Sequence, residues 1–318
     1  MTIRIRFAGI AAGFALASAP VVGHAQEFIN ILTGGTSGVY YPVGGALSKI
    51  YTDGIEGAKV QVQSTKASVE NLNLLSQGKG EIGIALGDSV KLAAEGDAEA
   101  GFPQPLENLR GISAMYPNYI QIVASEESGI KTLEDLKGKA LSVGAPKSGT
   151  ELNARAILAA AGMSYDDLGQ VEYLPFAESV ELMKNRQLDA TLQSAGLGVA
   201  SLKDLSTAIP ISVVSVPAEV AETLGDPYVA GTIPAGTYDG QDEDVATVAV
   251  INFLVSSTEV SDDLAYQMTK LMYENLDELA AAHAATSEID VANALQGMPI
   301  PVHPGAQKYY DEVGVSAE

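Results

Sequence analysis

Three short turns gather hydroxyls and small residues in a pattern suited to holding a negative charge: Thr36-Ser37-Gly38, Ser64-Thr65 and Ser148-Gly149-Thr150. The first lies in the run Ile31 to Gly45, where Phe28 to Leu32 reads as a short buried strand and Pro42 opens a helix continuing through Ala46, Leu47 and Ile50. Proline is tolerated in a first helical turn because its missing N–H has no intrahelical partner there. A strand that passes through a Gly/Ser/Thr turn into a helix aims several free backbone N–H groups at one point. The positive end of the helix dipole lies behind them, which suits a carboxylate or phosphate. A glycine-rich turn without a ligand is the alternative. Ser148 with Glu151 also fits a capping box, a purely local use of the hydroxyl.

Catalytic and metal chemistry finds little support. His283 and His303 lack neighbouring carboxylates or a partner at metal-ligand spacing, and no Ser-His-Asp set, carboxylate pair or nucleophile elbow can be assembled. Gly78-Lys79-Gly80-Glu81-Ile82-Gly83 matches GxGxxG but lies between a helix and the following strand, the reverse of the dinucleotide fingerprint. Asp239, Asp242, Glu243 and Asp244 have the wrong spacing for an EF-hand loop. There is no cysteine, which excludes disulfides, thiol catalysis and Cys-ligated metals. The expectation is no enzyme, no catalytic residues, no metal and no cofactor.

The elements that position the turns alternate. Strand Lys59 to Gln63, helix Ser68 to Gln77, strand Glu81 to Leu86 and a helix headed by Asp88 give a βαβαβ series with right-handed crossovers. Leu109 to Met115 and Tyr119 to Ala124 read as two strands separated by Tyr116-Pro117-Asn118, where a first crossing between domains is expected. A second series follows: strand Ala140 to Gly144, helix Glu151 to Ala161, strand Val171 to Leu174 and helix Ser179 to Asn185. Strand Ala190 to Gln193, helix Val199 to Leu205 and strand Ile209 to Val216 complete it. Tyr228 to Ile233 is the expected return crossing, Val245 to Val255 a buried strand, and Ser261 to Ala282 one long amphipathic helix.

Arg4 and Arg6, the apolar run Phe7 to Val22 and Gly23-His24-Ala25 form the three regions of a secretory signal peptide cut after Ala25. The run is shorter than the ~20 residues of a spanning helix. Removing 25 of the 318 residues leaves a length that suits two domains. The formal charge of -22 opposes binding to nucleic acid or anionic lipid, and an anionic solute would need a locally positive pocket. Without a cysteine no lipid-modified N-terminus is expected, so the exported chain is expected untethered, and a receptor reading would place it free in a periplasm.

The run from Ile31 resembles the opening of the TAXI family, the TRAP-associated extracytoplasmic immunogenic solute-binding proteins. Later blocks agree in order: Ser64-Thr65-Lys66-Ala67-Ser68-Val69-Glu70-Asn71-Leu72, Gly129-Ile130-Lys131 with Leu136-Lys137-Gly138-Lys139, and Gly149-Thr150-Glu151-Leu152-Asn153-Ala154-Arg155. Pro234-Ala235-Gly236-Thr237-Tyr238-Asp239-Gly240-Gln241 and Pro301-Val302-His303-Pro304-Gly305-Ala306 follow. The resemblance implies a two-lobed type II periplasmic-binding-protein fold of the α/β class, with a ligand cleft between lobes joined by two hinge crossings. It divides the chain into residues 1–25 (leader), 26–116 with 234–318 (lobe I) and 117–233 (lobe II). It also implies capture of a small organic anion, a carboxylate of the dicarboxylate or glutamate-like kind, and delivery to a TRAP permease, with an ATP-driven importer as the other transport reading.

Departures from the family pattern bear on the ligand. Lys66 and Lys147 stand where the family more often has a small residue, commonly glycine, and together they would favour a dianion; solvated loop lysines are the alternative. Leu86-Gly87-Asp88 replaces the usual Gln-Ser-Asp, and Gly198 replaces a proline after Gln193-Ser194-Ala195-Gly196. Tyr40, Tyr116 and Tyr119 are candidates to wall the pocket, and Arg155 reads as a helix salt bridge or a ligand clamp. The expected ligand-binding set is Thr36, Ser37, Gly38, Val39, Tyr40, Ser64, Lys66, Ala67, Ser68, Asp88, Tyr116, Asn118, Lys147, Ser148, Gly149, Thr150, Gln193 and Ser194.

Overall fold

The computed structural model describes residues 27–316; the expected leader lies outside them. The first alternating series forms β1 (Phe28–Leu32), α1 (Tyr40–Gly54), β2 (Lys59–Gln63), α2 (Ser68–Ser76), β3 (Ile82–Leu86) and α3 (Gly87–Glu95). β1 pairs parallel with β2 and β3, as crossovers through helices require. β4 (Leu109–Ser125) leads into β5 (Ala140–Ser142), α4 (Gly149–Ala160), β6 (Gln170–Glu172), α5 (Phe176–Lys184), β7 (Ala190–Ala195), α6 (Ala200–Ala208), β8 (Ile211–Val214) and α7 (Ala218–Leu224). The chain returns through β9 (Tyr228–Ile233) and β10 (Val245–Ser257), then α8 (Asp262–Glu274), α9 (Leu276–Ala282) and α10 (Pro304–Val313).

All ten strands join one sheet, ordered β2-β1-β3-β10-β4-β7-β5-β6, with β8 on β4 and β9 on β10. The antiparallel pair β4 and β10 runs through its middle and carries both halves of the molecule. One end of β10 pairs with β3 and puts Phe253 in a core with Leu32, Leu72, Leu75 and Phe102. Its other end pairs with β9 and puts Val248 among Ile120, Ile122, Ile157 and Leu192. Burying a side chain such as Phe253 contributes roughly 2–3 kcal/mol, so each end of the pair is fixed in its own apolar cluster.

Two expectations need correction. The break at Tyr116-Pro117-Asn118 is absent, because β4 is one 17-residue strand. Pro117 lies opposite Ile251 beside a register shift between Ile251 and Phe253; proline cannot donate to a ladder and sits well next to such an irregularity. The single helix over Ser261 to Ala282 is two, broken at Asn275, whose φ of -131° leaves the helical region. Its amide donates to the Leu271 carbonyl at 2.8 Å, the local competition that disfavours Asn inside helices. Helix α7 is additional.

Candidate ligand-binding site

The first N–H groups of any α-helix lack intrahelical acceptors and must find partners elsewhere. Four helices, α1, α2, α4 and α5, begin around one cavity of about 340 Å³. At α1 the chain turns tightly, Gly38 N–H donating to the Gly35 carbonyl at 3.0 Å. The N–H groups of Thr36, Ser37, Val39 and Tyr40 find no acceptor among the described residues. The helix starts at Tyr40, so Pro42 still lies in its first turn.

The α2 turn is tied to the first. Ser64 Oγ donates to the Gly34 carbonyl at 2.9 Å, and the Thr65 hydroxyl lies 2.6 Å from Asn71 Oδ1 while accepting from Ala67 N–H. Buried Asn71 donates to the carbonyls of Thr33 and Ile84, joining the turn to two strand ends. Ala67 is held at φ 70°, a left-handed conformation that costs an L-residue energy and recurs at ligand clamps.

From the other half, Ser148 Oγ caps α4 by accepting from Glu151 N–H at 3.1 Å. The reciprocal arm of the capping box is not made: the Glu151 carboxylate instead pairs with Arg155 at 2.7 Å and accepts from the Tyr165 hydroxyl. Arg155 is thereby committed to its own helix. α5 begins after Pro175, and Phe176, Ala177 and Glu178 in its first turn line the cavity. Phe176 reaches across to the α1 turn; a Cβ at Gly38 would stand 3.8 Å from its ring.

The wall contains Thr36, Ser37, Gly38, Val39, Tyr40, Ser64, Lys66, Ala67, Ser68, Asn118, Ser148, Thr150 and Ser194. Several are oriented from behind by Asn252 of β10. Its Oδ1 accepts from the Tyr40 hydroxyl at 2.5 Å, its Nδ2 donates to Asn118 Oδ1 at 2.9 Å, and Asn118 Nδ2 donates to the Ser194 carbonyl at 3.1 Å. The Ser194 hydroxyl is buried, with the residue 5% exposed, and has no hydrogen-bond partner among the described residues. Lys66 and Glu178 are the charged residues on the wall, both exposed.

Five residues of the expected set stand off the wall: Asp88, Tyr116, Lys147, Gly149 and Gln193. Asp88 is buried and accepts from Asn153 Nδ2 at 2.6 Å and from the Tyr228 hydroxyl at 2.7 Å, so α3, α4 and β9 meet on one carboxylate. Burial pushes its carboxyl up to about 6, against the lowering effect of those bonds. Tyr116 is fully buried behind the wall, and burial raises its phenol well above the ordinary range. Lys147 takes φ 62° and faces a separate groove beside Lys66, Glu70 and Asn73. Gly149 brings α4 against α2, and Gln193 accepts from Ser201 Oγ at 2.6 Å. Tyr119 also lies off the wall. Sequence reasoning missed Gly34, Gly35, Leu86, Ala145, Ala195 and the α5 turn as lining, and Asn252 as support. Pro175 followed three residues later by Glu178 was the available signal for α5.

Among the described residues no helix is long and apolar enough to cross a membrane, and no group of three or more His, Asp or Glu side chains gathers as for a metal ion. In structural comparison the chain is similar to the periplasmic binding protein BugD, with a TM-score of 0.58 at 11% identity over 93% of this chain and 100% of that one. It is similar to a protein of Bordetella bronchiseptica, with a TM-score of 0.55 at 16% identity over 91% of this chain and 98% of that one. It is also similar to a binding protein component of an ABC phosphonate transporter from Pseudomonas aeruginosa, at 0.50 and 11% identity over 82% and 79% of the two chains. These likenesses carry the fold: mixed α/β, two-lobed, of the type II periplasmic-binding-protein kind. The pattern of the NMT1-like family runs from residue 31 to residue 314, through every turn that borders the cavity, and the chain belongs to that family.

Proposed function

We propose that this protein captures one small organic anion between two lobes in the periplasm and delivers it to a TRAP-type permease, separate or fused in its subunits. The observation that carries the anion reading is the meeting of four helix N-termini, two from each half, around one cavity. Free N–H groups and aligned peptide dipoles stabilise negative charge without a fixed cation. The lobes are taken as residues 26–116 with 234–318 and residues 117–233, the crossings lying at Tyr116-Pro117-Asn118 within β4 and at β9 (Tyr228–Ile233). A ligand that touches both lobes only when they are together shifts the equilibrium toward closure. Closure also excludes water and strengthens each polar contact. The six sequence blocks that resemble the TAXI family support the TRAP partner.

The likeness to an ABC phosphonate transporter component favours a second reading, delivery to an ATP-driven importer. Reconstituted uptake separates the two. Vesicles holding the cognate permease should accumulate the labelled anion only with the receptor present and an ion gradient imposed. Uptake that needs internal ATP and ignores the gradient would overturn the TRAP assignment.

A further inference from the structure

We infer that the ligand carries one acid group on an apolar body, and that a second carboxylate within the cavity is rejected. The inference rests on the anion reading and narrows it. Positive charge on the described wall is confined to Lys66, which is exposed to solvent, because Lys147 lies off the wall; a dianion meets one screened cation there and not two. The wall's one other charged residue, Glu178, repels a second carboxylate. One acid group is served by the free first-turn N–H groups, with the buried and unpartnered Ser194 hydroxyl as a side-chain donor.

Part of the wall offers a second acid no partner. Val39, Leu86, Ala145, Phe176 and Ala195 are apolar, and the Tyr40 hydroxyl is already given to Asn252. Phe176 closes over the α1 turn from the opposite half, so the body of the ligand meets an aromatic face. An ionised group placed there loses its water without gaining a partner, which lowers affinity on the order of 100-fold.

Chain-matched pairs provide the test: hexanoate against adipate, butyrate against succinate and benzoate against phthalate. Hexanesulfonate varies the acid, and hexanol and hexylamine serve as neutral and cationic controls. Thermal shift and calorimetry on protein freed of bound solute by unfolding and refolding should rank each monoacid above its diacid. Phe176→Ala should weaken the best monoacid on the order of 10-fold while leaving the melting point of the free protein nearly unchanged. Diacids that bind as tightly as their partners, or no monoacid binding at all, would overturn the inference; the first result leaves the anion receptor standing. Binding of hexanol or hexylamine in place of the acids would overturn the anion reading itself.

Discussion

A buried hydroxyl without a partner costs a folded protein about 1–3 kcal/mol, and Ser194 carries one in the cavity wall. Such a group is tolerated where a ligand completes it. Ser194→Ala should therefore raise the melting point of the free protein and weaken anion binding on the order of 10-fold, two opposite effects from one change. Lys147 gives the complementary case. Its φ of 62° suits glycine, so Lys147→Gly should stabilise the fold by about 1 kcal/mol in urea titration. Anion affinity should not change, because Lys147 lies off the wall; a large loss would show that its charge reaches the ligand. Asp88 makes a statement about pH. Its carboxyl is raised to about 6 when folded, against about 3.9 in an unfolded chain. Between those values the folded form holds a proton that the unfolded form has lost, so this group's contribution to stability grows as pH falls from 7 toward 4. Relative to Asp88→Asn, the native protein should gain up to about 3 kcal/mol over that interval. The residue types were legible in the sequence, but not which way they point. Lys66 and Lys147 occupy similar turns and border the same side groove, but Lys147, with its left-handed backbone, stands off the cavity wall that Lys66 reaches.

The helices show why the rest was hidden. Proline preference places the start of α1 at Pro42 and apolar periodicity those of α4 and α5 at Glu151 and Ser179, whereas they begin at Tyr40, Gly149 and Phe176. Periodicity reports the face a helix buries in a core, and these first turns face the cavity instead. For α5 the buried face starts at Ser179 and Val180, which is why Phe176 to Glu178 escaped notice. α2 was placed correctly at Ser68 because that residue is itself buried at the helix head. The approach of α4 to α2 depends on Gly149, where a Cβ would stand 2.6 Å from Leu86 Cδ1 and 2.7 Å from Ser68 Oγ. Gly149→Ala should push the two helix starts apart and weaken binding on the order of 10-fold or more, with the far-ultraviolet circular dichroism unchanged. Native affinity in that variant would mean the close approach has no part in binding.

For the whole molecule, alternating βα units announced a parallel α/β fold, and six ordered blocks announced the two-lobed arrangement. What they left open was how the halves connect. A proline flanked by apolar runs reads as a linker in one dimension, but with β10 beside it the same stretch becomes the continuous middle of a strand. Closure over a ligand predicts a smaller radius of gyration in solution scattering with anion than without. It also predicts stabilisation of about 2.7 kcal/mol at a ligand concentration 100 times Kd. The most direct test follows the backbone amides in a nitrogen-15 titration with the tightest-binding anion. The largest shifts should fall at Thr36, Ser37, Val39, Gly149, Thr150 and Phe176–Glu178, in both halves together. Shifts confined to one half, or centred away from these four helix starts, would contradict the account.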